Sequence, residues 1–299
     1  MRPRSHERSA ENVRLHLLPA LGRTRLTRLR PDARQELYAA KRRQGLAPRT
    51  VHHVHTVLHT ALEQAVRWGY LPRNVADVVT RPAVPQREPR WPRGEVVRRL
   101  LAAAGGDRLQ ALWALAAYTG CRLGELCGLT WEDVDLTPGA AGRLHVRRIL
   151  VDVRDSAPVY GEPKTRRSRR AVPLSAEAVA ALRAHRDRQR FERDQLGDDY
   201  GAYGLVFATH FGTPLQRKVV QPQFKRALAR AGLPAAIRFH DLRHTAATLM
   251  LAGGVDVPAD AAILGHSQNS TTLNIYAHAL PDALSAATDA LARALRGAP

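Results

Sequence analysis

Apolar residues recur at helical intervals along most of the first eighty positions. The clearest case is Thr50–Trp68, where Val51, Val54, Leu58, Ala61, Leu62 and Ala65 advance in steps of three or four with one adjacent pair. Such spacing lines one face of a helix. The same pattern predicts helices over Ser5–Leu18, halted by Pro19, and from Pro31-Asp32 to about Gln44, since proline suits a first helical turn. A short fourth helix is expected over Asn74–Val79. Helices joined by such short turns fold as a bundle.

The pattern lapses in TRPAVPQREPRWPR, which holds four prolines and no apolar period. Such a stretch reads as an extended tether. It divides the chain into a helical domain at 1–80, a linker at 81–93 and a second domain at 94–299. The second domain opens with helices at Glu95–Ala104 and Arg108–Tyr118, and the latter is apolar nearly all round, which places it at the centre of a core. A further helical stretch starts at Arg122, and Trp131–Leu136 is a turn or short helix. The period then changes. Arg143–Val153 is β-branched and roughly alternating, and Pro158–Pro163 and Arg169–Leu174 resemble it. These predict a small antiparallel sheet whose basic hairpin tip is KTRRS. Ser175 is a good N-cap for a helix to Leu196. Leu205–Ala208 is a short apolar strand or turn. Helices follow near Lys218–Ala231, His240–Leu251, Pro258–Leu264, Thr271–His278 and Asp282–Leu295. The fold class expected is mainly α with a small antiparallel β-sheet, as an N-terminal helical bundle followed by a mixed α/β domain.

Charge changes the picture. The 299 residues carry a formal net charge of +19. With a pI near 11.2, this points to a polyanionic partner, for which nucleic acid is the best reading. Of the 46 basic residues, only Lys41, Lys164, Lys218 and Lys225 are lysines. The two cysteines, Cys121 and Cys127, have no zinc-site spacing and read as buried thiols in a reducing compartment. No apolar run is long enough to cross a bilayer, and MRPRSHERSAENVRLHLL lacks a secretory core, so a cytosolic, nucleoid-associated protein is expected with no membrane partner. His52, His55 and His59 share a face of the third helix. They read as a polar surface touching DNA phosphate rather than as a metal site, because only Glu63 stands near them.

Six residues stand out. His240 and Arg243, in HDLRH, are three apart and share a helix face, so both can reach one phosphate. Histidine exchanges protons near neutrality, and the arginine fork matches phosphate oxygens. His266 follows Leu264-Gly265 at a helix end, and Tyr276 lies ten residues on. Arg122 lies three residues before Glu125, an arrangement that by itself reads as a surface ion pair. Lys164 stands among arginines in KTRRSRR; a general acid must be able to lose its proton, which arginine cannot do. Each alone has a bland reading as a solvated face, a helix cap or packing.

In this order, however, TGCRLGEL, the hairpin lysine, HDLRHT, LGH and a late tyrosine resemble the tyrosine recombinase family, specifically the phage-type site-specific integrases. The N-terminal half resembles that family's helical core-binding domain through NVRLHLLPALG, APRTV and ALEQAVRWGY. The resemblance spans nearly the whole chain and implies a catalytic domain at 94–299. It also implies that Tyr276 is the nucleophile and forms a 3′-phosphotyrosyl link to DNA. Arg122 and Arg243 would hold the non-bridging oxygens, Lys164 would protonate the leaving 5′-oxygen, His240 would take the tyrosine proton and His266 would hydrogen-bond the phosphate. It implies no cofactor and no metal. The partners implied are double-stranded DNA, a homotetramer on two DNA sites, and an accessory DNA-bending or directionality factor. A type IB topoisomerase-like enzyme and a catalytically silent DNA-binding regulator are the alternatives. VDVPADAAILGH departs from expectation by placing Asp256 and Asp260 near His266, as a helix cap or as a perturbation of that histidine.

Overall fold

The computed structural model describes residues 3–80, 83, 91–139, 141–151, 159–163 and 168–265. They belong to two compact units, Met1–Glu88 and Pro89–Pro299. In the first, the apolar face of the longest helix, α4 (Pro48–Arg67), does what its spacing predicts: Val51, Val54, Leu58, Leu62 and Ala65 are buried. It packs against α1 (Pro3–Asn12) and α3 (Pro31–Arg43), which adds Leu37 and Tyr38 to the core.

Three expectations for this unit are corrected. The first helix does not stop at Pro19. A π-helical turn, Val13–Leu17, lets it continue into α2 (Leu18–Leu21), with the N–H of Leu18 donating to Val13 O. The wider turn accommodates a proline whose missing N–H would break a regular ladder. Second, residues 75–78 form turns, not a helix. The Asn74 side chain accepts from the N–H of Ala76 at 3.0 Å and donates to His59 O at 3.1 Å. That local bonding competes with helical bonding. Third, His55 is no surface residue. It is 2 % exposed and shares a 3.0 Å hydrogen bond with the Tyr38 hydroxyl. His59 meets Asp77 at 2.7 Å.

The second unit is organised around α6 (Gln110–Thr119), in which Ala111 to Ala116 are all buried. Trp113 packs against Phe224 and Phe239, with ring centroids 5.3 and 5.9 Å away. Around it lie α5 (Gly94–Ala103), α7 (Leu123–Cys127), α8 (Ala176–Leu196, capped by Ser175) and α9 (Arg217–Arg230). Next come α10 (Asp241–Ala252) and α11 (Val257–Leu264).

The predicted strand Arg143–Val153 is broken, and the expected single sheet is two. β1 (Val134–Asp135), β2 (Arg143–Val146) and β5 (Arg170–Pro173) form one antiparallel sheet in the order β1-β2-β5. The other pairs β3 (Ile149–Val151) with β4 (Val159–Gly161). The break falls at Arg147 and Arg148, whose guanidiniums both reach the buried carboxylate of Asp133, at 3.4 and 3.5 Å. A buried charge needs paired cations more than the ladder needs two residues in register. Residues 164–167 of the KTRRS tip, Lys164 among them, lie outside the described residues, as does everything from His266 onward, including Tyr276 and the two predicted C-terminal helices. Among the described residues, no helix is long and apolar enough to cross a membrane.

Candidate active site

The core helix α6 delivers the first site residue. It ends at Gly120, whose left-handed backbone (φ 61°) reverses the chain into Cys121 and Arg122. A Cβ there would collide with the Leu264 side chain, so glycine is required for closeness as well as for φ. Arg122 then caps α7. Its backbone N–H donates to Glu125 Oε2 at 2.9 Å, and its Nη1 to Glu125 Oε1 at 2.8 Å. Glu125 is 3 % exposed, so this is no surface ion pair. Burial alone would raise its pKa, but Arg170 and then Arg122 outweigh burial and hold it below the ordinary carboxylate range.

The second feature is the end of α11. A helix leaves its last carbonyls without internal partners. Here three successive carbonyls are each taken by a different arginine. Arg170 Nε donates to Ile263 O at 2.5 Å, Arg243 Nη2 to Leu264 O at 2.7 Å and Arg122 Nη2 to Gly265 O at 3.3 Å. These guanidiniums come from β5, α10 and the start of α7, so one helix end gathers three elements. Arg243 also donates to Gly120 O at 2.8 Å, and Arg170 reaches Glu125 Oε2 at 3.0 Å. Gly265 is left-handed (φ 67°), and a Cβ on it would lie 2.8 Å from Arg170 Nη1.

The three cations are not equally compensated. Arg170 and Arg122 share Glu125. Arg243 is 3 % exposed and, among the described residues, bonds only to neutral carbonyls. Burial, then the nearby charge of Arg122, pulls its pKa down to about 9. A cation held against its surroundings in this way is stabilised by an arriving anion. His240 stands just before α10 and is partly open to solvent. Partial burial, then Arg243 and Arg122, lowers its pKa, so the ring is neutral and able to accept a proton at neutral pH. Beside it His244 is more buried, and burial and His240 lower its pKa to about 4. Asp241 is pinned by Arg238, whose Nη2 lies 2.8 Å from Oδ1.

The structure thus brings Arg122, Arg243 and His240 together, while Lys164, His266 and Tyr276 lie outside the described residues. Two residues of the constellation carried no role in the sequence reading: Arg170, hidden in the run KTRRSRR, and Glu125. Arg170 lies on β5, within the predicted strand Arg169–Leu174, and nothing local set it apart from the neighbouring arginines. Among the described residues, no group of three or more His, Cys, Asp or Glu converges to hold a metal. Asp256 caps α11, accepting from the N–H of Ala259 at 2.6 Å. Asp260 is fully buried, and neither carboxylate oxygen has a partner among the described residues. Burial raises its pKa to about 6, with Arg243 opposing.

Two stability predictions follow from these buried charges. Because the Asp260 pKa is raised, the native state keeps a proton that the unfolded chain releases. Its contribution is intact below the ordinary value of 3.8 and is lost as pH rises through about 6. Asp260→Asn therefore raises the unfolding free energy near neutral pH, by on the order of 2–3 kcal/mol, with the gain vanishing toward about pH 4. Thermal denaturation at both pH values checks this, and a pH-independent gain would refute it. Arg170→Met leaves the buried Glu125 carboxylate with Arg122 as its remaining cation and should cost about 3–5 kcal/mol, part of it restored in Arg170→Met/Glu125→Leu. Denaturant titration reads both, and equal losses in the single and double variants would show that Arg170 does not carry Glu125.

Residues 90–282 match the phage integrase family. A XerC-like tyrosine recombinase of Caldanaerobacter subterraneus subsp. tengcongensis is 33 % identical over 264 residues, covering 83 % of this chain and 66 % of the relative. An integrase of Streptomyces ambofaciens is 32 % identical over 286 residues, covering 90 % of this chain and 71 % of its own. The chain thus spans about two thirds of the length of these curated relatives. Among solved structures, the Tn1549 transposon integrase in complex with transposon right end DNA superposes with a TM-score of 0.80 at 23 % identity, covering 98 % of this chain and 95 % of that one. A lambda integrase dimer bound to a COC′ core site gives 0.66 at 17 % identity, covering 92 % and 89 %. The fold is that of the tyrosine recombinases, and the chain belongs to the phage integrase family of tyrosine recombinases, enzymes that cut and rejoin DNA.

Proposed function

We propose that this chain is a site-specific DNA recombinase that integrates or excises a mobile element through a 3′-phosphotyrosyl intermediate. The observation that carries this reading is the buried Arg243, bonded among the described residues only to carbonyls, beside Arg122 and His240. In this reading the scissile phosphate supplies the anion the two arginines await. They hold its non-bridging oxygens and stabilise the charge that grows in the pentacoordinate transition state. Tyr276 attacks phosphorus as His240 accepts its proton, so the phosphate passes from the 5′-oxygen to the tyrosine. Lys164 gives a proton to the departing 5′-oxygen, and His266 hydrogen-bonds the phosphate. A 5′-hydroxyl from a partner strand then attacks the phosphotyrosine and reseals the DNA. The ester conserves the bond energy, so the reaction proceeds without a nucleotide cofactor.

The net charge of +19 supports double-stranded DNA as the partner and the nucleoid as the place of action. In the same reading the protein works as a homotetramer on two DNA sites, assisted by a DNA-bending or directionality factor, with its N-terminal unit binding DNA.

A nicked suicide substrate carrying the cognate site tests the nucleophile. The wild type leaves a denaturation-resistant protein–DNA adduct and Tyr276→Phe leaves none; an adduct from the Phe variant would remove Tyr276 from that role. The acid is tested separately. Lys164→Ala slows cleavage of a normal 5′-oxygen leaving group by about 10²–10⁴-fold. It is nearly harmless when the leaving group is a 5′-thiol, which departs unprotonated. Equal loss on the two substrates would exclude Lys164 as the acid.

A further inference from the structure

The segment that leads into α5 does not simply connect. Trp91 lies flat against His244, with ring centroids 3.8 Å apart and planes 18° from parallel. One residue on, Pro92 O accepts a hydrogen bond from Thr245 Oγ1 at 2.7 Å. Both contacts fall on α10 directly behind the catalytic pair. His244 also meets His240 edge to face, with centroids 5.0 Å apart and planes at 87°. The three rings thus make consecutive contacts, from the half-buried Trp91 and His244 to the exposed His240. Among the described residues neither Trp91 Nε1 nor His244 Nδ1 has a hydrogen-bond partner, so ring packing is the contact between the two side chains. The half-buried His244 ring, kept neutral by its surroundings, serves in this position as a spacer between an indole and the imidazole of the site.

We propose that Trp91 is a positioning residue for cleavage: through His244 it holds the His240 ring over Arg122 and Arg243. This rests on the role given to His240 above. The ionisable groups facing His240 among the described residues are Arg243, Asp241, Arg238 and His244 from α10 and its approach, and Arg122 from the start of α7. Without the indole, His244 loses its backing and the His240 ring can swing toward water, away from both arginines. Two effects follow. Proton acceptance from the nucleophile becomes misaligned. The desolvation and the positive neighbours that keep His240 neutral weaken, so protonation inactivates it at a higher pH.

The experiment is single-turnover adduct formation on the suicide substrate across a pH series, with DNA binding measured alongside. Trp91→Ala is expected to keep DNA affinity, slow cleavage by roughly 10- to 100-fold and move the acid limb of the profile up toward about pH 6.5. Trp91→Phe, which keeps a ring against His244, should recover most of the rate and the wild-type acid limb. An unchanged rate in Trp91→Ala would overturn the proposal. So would a lower rate with an unmoved acid limb, or a Phe variant no better than Ala, since either outcome marks general loss of packing. Tyr276→Phe in the same series keeps the two ideas apart. An adduct surviving there refutes the reading of the site, whereas an adduct lost there beside an unmoved Trp91→Ala profile refutes only the positioning role.

Discussion

Three guanidiniums on three consecutive carbonyls at the end of α11 are the constraint from which the site follows. Each arginine arrives from a separate element, and each gives a donor to a group the helix cannot satisfy itself. The carbonyl end of a helix carries partial negative charge, so the arrangement is favourable as well as specific. It also sets distances. Ile263, Leu264 and Gly265 step through the end of one turn, so the three cations cannot approach or separate without breaking a buried hydrogen bond. Two glycines permit the contact, Gly120 beneath Leu264 and Gly265 against Arg170.

Such a cluster is unstable unless countercharge is supplied, and the supply is uneven. Glu125 serves Arg122 and Arg170 from a buried position, whereas among the described residues Arg243 bonds only to neutral acceptors. Asp241 is buried too but is taken by Arg238, and burial raises the pKa of Asp260 to about 6. The unmet positive charge therefore lies at Arg243 and the adjoining face of Arg122, on the side where His240 stands. Electrostatic preorganisation of this kind costs folding stability and returns it when a phosphate binds.

The order of legibility follows the range of the forces involved. The central position of α6 was readable because an all-apolar helix has nowhere else to go. The buried face of α4 and the Ser175 cap are equally local signals. Failures came where a distant partner overrode a local pattern. The predicted strand 143–153 breaks because Asp133 claims Arg147 and Arg148. The expected helix at 74–79 yields to the side chain of Asn74. His55 left the surface for Tyr38. In the site, HDLRH and TGCRLGEL were visible as short motifs with fixed spacing. Arg170 was not, since one arginine among many has no local mark and its distinction is a bond across 93 residues to Ile263. Trp91 was unreadable for the same reason, lying in a proline-rich stretch that signals only extension.

These misses share a cause that bears on the chemistry. In a chain that draws nearly all its cations from arginine, charge says little about role, and burial says most. Arg122, Arg170 and Arg243 differ from the other arginines in what they face, a helix end and a shared carboxylate, not in residue type. Lysine would not substitute at these places. Arg243 spans Gly120 O and Leu264 O with two separate nitrogens, and Arg170 reaches Ile263 O and Glu125 at once. A single ammonium offers one nitrogen as a point charge, so it cannot supply the two separated donors of a planar fork. The fork geometry that makes arginine a good phosphate ligand is thus already in use for assembling the fold. The same side chains that close the core around α6 are the ones to which the proposed reading assigns the scissile phosphate.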